Sequence, residues 1–389
     1  MNQHPTSTLL KRFQSSKLNR MAGLSLIELM IGMTISSLLL IGVSSIYFNS
    51  RETDKFTSEL SRIQETGRHA VDFLARDIRM AGYQGCMDPA SIAVNIIARN
   101  PPTEDFFNSA LIGFEVTSSA WAQNNLVDPI TGDIIQNRGE YFKDEDFVEN
   151  ALVGSDVIAI QGTTVANAQL TGNMAASNAN IQITNNDMGF EQNDIVVIAD
   201  CQNADMFRIT NNPNAGAQVT LAHAVGSNTD NRLSAPYTDD ASIMSFESVI
   251  YFVADTGRTT EKGTAINALY RASDNMSDTA NPSFTVEELI EGVDNMQILY
   301  GERLATGNFR YVPADQVNDM QLVESIQLGM LISGTTDVLP ANDTATYILP
   351  GENIQPESKA NAPVTYATDR RLRREFSLTI NLRNRRTLI

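Results

Sequence analysis

From Leu24 to Phe48 the chain is apolar at almost every position (LSLIELMIGMTISSLLLIGVSSIYF), and the one charge in this 25-residue run is Glu28. As a helix at ~1.5 Å per residue the run is about 37 Å long, enough to span a bilayer. A carboxylate inside such a span is costly, so Glu28 reads as functional. After Phe48 the chain turns polar but keeps a helical period. Phe56, Leu60, Ile63, Gly67, Ala70, Val71, Leu74, Ile78 and Ala81 recur every three or four residues, with charges between them. Residues 24–82 contain no proline. The pattern predicts one helix of about 59 residues, ~88 Å long. It is transmembrane over 24–48 and amphipathic over 49–82, and Gly82 and Gly85 stop it. The amphipathic stripe is expected to pack mainly on the chain's own head, with binding of partner subunits as the alternative.

Beyond about residue 90 the period shortens. Short apolar or alternating runs are separated by Asn, Asp, Gly, Ser and Pro, which predicts strands and turns. The strands expected are Asp156–Gln161, Ile195–Asp200, Met206–Thr210, Gln218–Leu221, Ser245–Ala254, Ala268–Arg271, Met296–Tyr300, Ser325–Ser333 and Phe376–Leu382. The last alternates Phe376, Leu378, Ile380 and Leu382 against Ser377, Thr379 and Asn381, as a half-buried antiparallel strand does. Residues 101–150 and 335–368 are weakly patterned and read as long loops or insertions within a head spanning 83–389.

Charge narrows the function. The chain has 28 basic and 46 acidic residues, and the first 23 residues hold four of the bases (Lys11, Arg12, Lys17, Arg20) and no acid. Without them 24 bases face 46 acids, a net −22. A chain this acidic is not expected to bind nucleic acid along its length, since phosphate contacts need clustered Lys and Arg, so no nucleic-acid partner is expected. The positive-inside rule keeps the basic leader in the cytoplasm and places the head outside the inner membrane. In that oxidising compartment Cys86 and Cys201, the two cysteines, are expected to form a disulfide, with two buried free thiols as the alternative. Two distant histidines, His69 and His223, lack the spacing of a zinc site. No metal or cofactor is expected, and no nucleophile elbow, P-loop, zinc-protease motif or dinucleotide turn is present, so no enzyme is read here.

In a secretory signal peptide the small-residue cleavage site follows the apolar stretch. Here the small pair Ala22-Gly23 precedes it. The string Gly23, Leu24, Ser25, Leu26, Ile27, Glu28, Leu29 resembles the class III signal of type IV prepilins and secretion pseudopilins, although Leu24 stands where that family usually has Phe. The resemblance implies a leader over 1–23, peptidase cleavage between Gly23 and Leu24, N-methylation of Leu24, and Glu28 neutralising the Leu24 amine of a neighbouring subunit. It also implies an α+β, type IV pilin-like fold, a long N-terminal α-helix packed on an antiparallel β-sheet head. The family's proline near the middle of the apolar helix is replaced here by Ser45.

Six blocks along the head are similar to the PilW-type minor pilins: FLARDIRMAGYQGC (73–86), GSDVIAIQG (154–162), NDIVVIADCQNADMFRIT (193–210), VDNMQILYG (293–301), ESIQLGMLISG (324–334) and REFSLTINLRNR (374–385). That resemblance implies a low-abundance subunit, held in inner-membrane lipid with a periplasmic head and later moved into the pilus. It would help initiate or prime assembly and sit at the tip. The partners implied are the other minor pilins, the major pilin, the prepilin peptidase and, at the tip, an adhesin. A type II secretion pseudopilin of the J type and a tip adhesion module are the alternative readings. Three surface features stay open at this stage. The arginines Arg370, Arg371, Arg373, Arg374, Arg383, Arg385 and Arg386 suit either an acidic partner or a charged edge strand. The turns at 128–133 (DPITGD) and 228–231 (NTDN) carry calcium-type ligands without EF-hand spacing and are expected to be plain turns.

Overall fold

The structure, a computed structural model, describes residues 25–87, 93–101, 110–117, 121–123, 150–165, 167–172, 174–175, 177, 179–274 and 284–384. The helix is a single element, Leu26–Met80. With no proline to remove a backbone donor, nothing in its sequence breaks it. The chain divides into two units, residues 1–55 and 56–389.

In the first unit every described residue is exposed, and the exposed residues include large apolar ones such as Leu26, Ile35, Leu39 and Phe48. By length and composition this stretch can cross a membrane. In the second unit the helix buries one face: Ile63, Gly67, Ala70, Val71, Leu74, Ala75 and Ile78. These pack against Leu111, Ile158, Ile160, Tyr251, Met296, Ile298, Met330 and Ile380 in the main core. Each large apolar side chain buried there contributes about 1.5–3 kcal/mol. The helix ends where Gly82 takes a φ of +72°, a left-handed conformation suited to glycine. Its N–H then donates to Gln161 O at 2.9 Å and leads the chain onto a sheet.

The described residues of the head form four sheets. The largest has ten strands. Its main path runs Asn95–Ile96, Ala204–Arg208, Ile195–Ala199, Ser242–Thr259, Asp156–Thr163, Leu111–Val116, Trp121–Gln123. Ser242–Thr259 also pairs with Ala265–Asp274, which carries Phe284–Glu291, and with Ala168–Gln169. A four-stranded sheet runs Phe309–Val312, Val293–Arg303, Val323–Asp337, Arg371–Asn381. A three-stranded sheet (Tyr347–Leu349, Glu352–Pro356, Val364–Tyr366) and a two-stranded one (Asn180–Ile183, Val219–Ala222) complete it. Pairing is antiparallel throughout except at Asn95–Ile96 with 205–206 and at 354–356 with 364–366, so the expectation of an antiparallel head needs those two amendments. Each of the nine expected strands coincides with an observed one, and 376–382 shows the expected alternation of burial.

The reading of 101–150 as loop is corrected in its described part. Leu111–Val116 is a strand inside the ten-stranded sheet. Its sequence, LIGFEV, does not alternate because both faces are covered: Leu111 joins the helix-side core while Ile112, Phe114 and Val116 enter a separate cluster. Residues 102–109, 118–120 and 124–149, including the DPITGD turn, lie outside the described residues. The reading of 335–368 is corrected too. It holds the three-stranded sheet, whose Leu349, Ile354 and Tyr366 bury against Leu331. Strands of three to five residues around Pro350-Gly351 are too short to display a period.

Candidate functional site

At its start the helix carries a reciprocal cap. Ser25 Oγ accepts from Ile27 N at 3.3 Å, and Ser25 N donates to Glu28 Oε2 at 2.9 Å. This is a capping box: the orphan amide of Ile27 is met by Ser25, and Glu28 reaches back over the helix N-terminus, whose partial positive charge favours a carboxylate. The Ser25-Leu-Ile-Glu28 spacing is the S-x-x-E signal of such a box, a local role for Glu28 beside the one the resemblance implies. Among the described residues Glu28 Oε1 has no hydrogen-bond partner. Gly23 and Leu24, the expected processing site, lie outside the described residues.

The helix stripe from Phe56 to Ile78 is occupied by the chain's own head. Its central members are buried, and Gly67 sits under the Phe376 ring so closely that a Cβ there would lie 2.2 Å from Phe376 Cε2. Polar ties flank the stripe. Arg62 pairs with Glu59 and donates to Thr335 Oγ1 at 3.0 Å, and Tyr251 OH donates to Asp77 Oδ2.

The C-terminal arginines separate into two kinds. Arg374 and Arg383 are exposed, Arg370 is half-buried and donates to Leu339 O, and Arg385 and Arg386 lie outside the described residues. Arg371 and Arg373 are buried, which corrects the reading of the whole cluster as a surface feature. Arg373 Nε donates to Asp294 Oδ2 at 2.7 Å, and its Nη1 to Asp369 Oδ1 at 2.8 Å and Asp343 Oδ2 at 3.4 Å. Arg371 pairs with Asp369 and Asp294 and donates to Ser333 Oγ. The Arg373 guanidinium also stacks on Tyr366, 4.4 Å from the ring centre. Burial alone would push Arg373 down, but Asp294 and Asp369 outweigh it and hold the guanidinium above its ordinary value. Two cations and three carboxylates thus join the four-stranded sheet to the 343–369 segment. The sequence signal was available in part, since Arg371 and Arg373 stand two apart on a strand and share a face.

Cys86 and Cys201 are bonded, with Cα atoms 5.0 Å apart and a sequence separation of 115. The bond fastens the segment after the helix to the turn joining Ile195–Ala199 and Ala204–Arg208. There Asp200 Oδ1 accepts from Gln202 N and Asn203 N, and Cys201 adopts a φ of +68°. The 228–231 turn is structural. Asn228 is buried and its side chain exchanges hydrogen bonds with both Arg208 N and Arg208 O, while Asp230 Oδ1 accepts from Asn231 N and Arg232 N. Among the described residues no group of three or more His, Cys, Asp or Glu could hold a metal ion.

The start of the apolar helix, with its box-capped Glu28, lies within residues 18–44, which match the prokaryotic N-terminal methylation motif. Residues 250–384, which cover the whole four-stranded sheet, match the family of Type IV Pilus-assembly protein W. Over these two stretches the chain is similar to PilW-type pilins. No curated protein and no solved structure matches it.

Proposed function

We propose that this chain is a minor pilin that primes type IV pilus assembly and takes a place at the filament tip with other minor pilins. The prepilin peptidase cuts between Gly23 and Leu24, and the new Leu24 amine is methylated. The apolar helix then holds the subunit in the inner membrane with its head in the periplasm until assembly. Glu28 neutralises the Leu24 amine of the adjoining subunit, because two charges buried in an apolar bundle are tolerated only as a pair. The observation that carries this reading is Glu28 itself: it stands five residues after Gly23, capped over the helix start, inside the matched methylation motif. The buried stripe supports a division of labour in which 56–80 builds the head and the fully exposed 25–55 meets other subunits. A tip adhesin is the further partner this reading admits.

The test is a Glu28→Ala variant in a cell lacking the native copy. Sharply reduced pilus counts, with the variant folded, processed and in the membrane, support the reading, and normal counts overturn it. Intact pili with blocked export of folded proteins would assign the chain to a secretion system instead. The mass and N-terminal sequence of the membrane-extracted protein check the processing step: a chain starting at methylated Leu24 supports it, and one starting at Met1 removes the basis for the assembly role of Glu28.

A further inference from the structure

Asp156 opens the strand Asp156–Thr163, and its direct antiparallel partner on Leu111–Val116 is Glu115. Directly opposed residues of neighbouring strands put their side chains on the same face, so the two carboxyl groups are neighbours. Two carboxyl groups at that spacing can hydrogen-bond each other only with a proton between them. Asp156 is buried and Glu115 half-buried. Each also holds one backbone amide of the region around the four-stranded sheet: Ile298 N donates to Asp156 Oδ2 at 2.6 Å, and Ala314 N to Glu115 Oε1 at 2.8 Å.

Among the described residues the groups facing this pair add no compensating charge. Asp315, beside Ala314, and Glu352, on Glu352–Pro356, act on it and are both acids. Among the described residues neither Glu115 nor Asp156 has a salt-bridge partner. Tyr300, from Val293–Arg303, is fully buried with its hydroxyl unpartnered. That hydroxyl lies over Gly113, where a Cβ would stand 2.2 Å from it, two residues from Glu115 on the same strand. Burial first, then the charges of Asp156 and Glu115, push Tyr300 above its ordinary value, so it lies within the field of the pair. Burial first and the neighbouring acids next likewise raise both carboxyls above the usual carboxylate range.

We propose that Glu115 and Asp156 share one proton and act as a proton-dependent latch between the ten-stranded and four-stranded sheets. With the proton in place the pair is a single anion holding the Ile298 and Ala314 amides. Its loss leaves two adjacent buried negative charges that repel each other. The folded head binds more protons here than the unfolded chain does, so this contribution to stability is greatest at low pH and is lost as pH rises through the raised values.

The experiment follows the carboxyl carbons of the full-length wild-type chain in detergent micelles by NMR while pH is varied, and compares melting of wild type and Glu115→Gln. One carboxyl of the pair is expected to stay protonated well above ~4, the ordinary range. The melting temperature of wild type relative to Glu115→Gln is expected to fall by about 3 °C or more between pH 5 and pH 8.5. Both carboxyls titrating at ordinary values, or a constant difference between the two proteins across that range, would overturn the latch. So would a rise in wild-type melting at pH 8.5 on adding calcium alone, which would make the pair a cation site. Where Glu115→Gln does not fold, the wild-type titration decides.

Discussion

Ser155 Oγ accepts from Met296 N at 3.0 Å and donates to Met296 O at 3.3 Å, so one side chain stands in for a strand partner. The strand Phe309–Val312 covers Val293–Arg303 only from Tyr300 to Arg303, which leaves Met296 and Ile298 on a bare edge. Residues 154–156 fill it. Gly154 O accepts from Asn295 Nδ2 and Gln297 Nε2, and Asp156 takes Ile298 N. An uncovered edge is a template for unwanted pairing, and here it is closed by side chains of the neighbouring sheet. Ser155→Ala leaves the Met296 amide and carbonyl buried without partners. It is expected to cost about 1–3 kcal/mol, read as a lower melting temperature of the full chain in micelles.

Gly67 packs against Phe376 with no room for a side chain. A methyl group at 67 favours a helix by up to about 1 kcal/mol but here drives into the Phe376 ring. Gly67→Ala is therefore expected to destabilise the head. Phe376→Leu costs something alone, yet in combination with Gly67→Ala it should recover part of the loss. A double-mutant cycle on melting checks this, and strictly additive effects would show that the two positions are not coupled.

Much of this architecture was legible because burial writes a period into the chain. The helix, the 376–382 alternation and the long apolar strands each bury a face along an unbroken run. Leu111–Val116 was not legible, since a strand covered on both sides shows no alternation. The Glu115–Asp156 pair was hidden for a related reason: 41 positions separate the two residues, and only strand pairing brings them together. Arg371 and Arg373 looked like surface charge because two of their acids, Asp294 and Asp343, are distant in sequence, and Asp343 sits in what looked like loop; only Asp369 stands beside them in the chain. Ser25 and Glu28, three apart, were fully local, and their capping box lay within reach of the sequence alone.

Removing one member of the buried Arg373–Asp294 pair strands the other. Arg373→Met is expected to cost about 3–5 kcal/mol because Asp294 keeps a buried charge with one cation fewer. The double variant Arg373→Met with Asp294→Leu should be less damaging than that single change. Protease sensitivity of the 338–370 segment, which the network anchors, is the local readout, and equal sensitivity in wild type and Arg373→Met would refute the anchoring role.

The Cys86–Cys201 bond closes a loop of 115 residues. In the chain-entropy model that is worth about 4–5 kcal/mol. Both cysteines are exposed, so a reductant reaches them without prior unfolding. Dithiothreitol should lower the melting temperature of wild type and leave a Cys86→Ser, Cys201→Ser double variant unmoved at the lower value. Equal melting with and without reductant would mean the bond adds nothing to stability.

His223 gives the head an acid limit. Its ring is fully buried and lies against Phe207, 4.8 Å between ring centres. The nearby Asp205 carboxylate is taken up by Ser234 and Tyr237. Burial pushes His223 down to about 4, only partly offset by the charge of Asp205. The unfolded chain takes up this proton at about 6.5 and the folded chain only near 4, so the unfolded state binds more protons between those values. The stabilisation is complete above about 6.5 and lost as pH falls toward about 4, at most about 3 kcal/mol. This sign is opposite to that of the Glu115–Asp156 pair, so the whole chain sums the two. A His223→Leu variant isolates the histidine: wild type minus variant should lose melting temperature from pH 7 to pH 4.5. A flat difference over that interval would mean His223 is protonated in the fold as readily as in the unfolded chain.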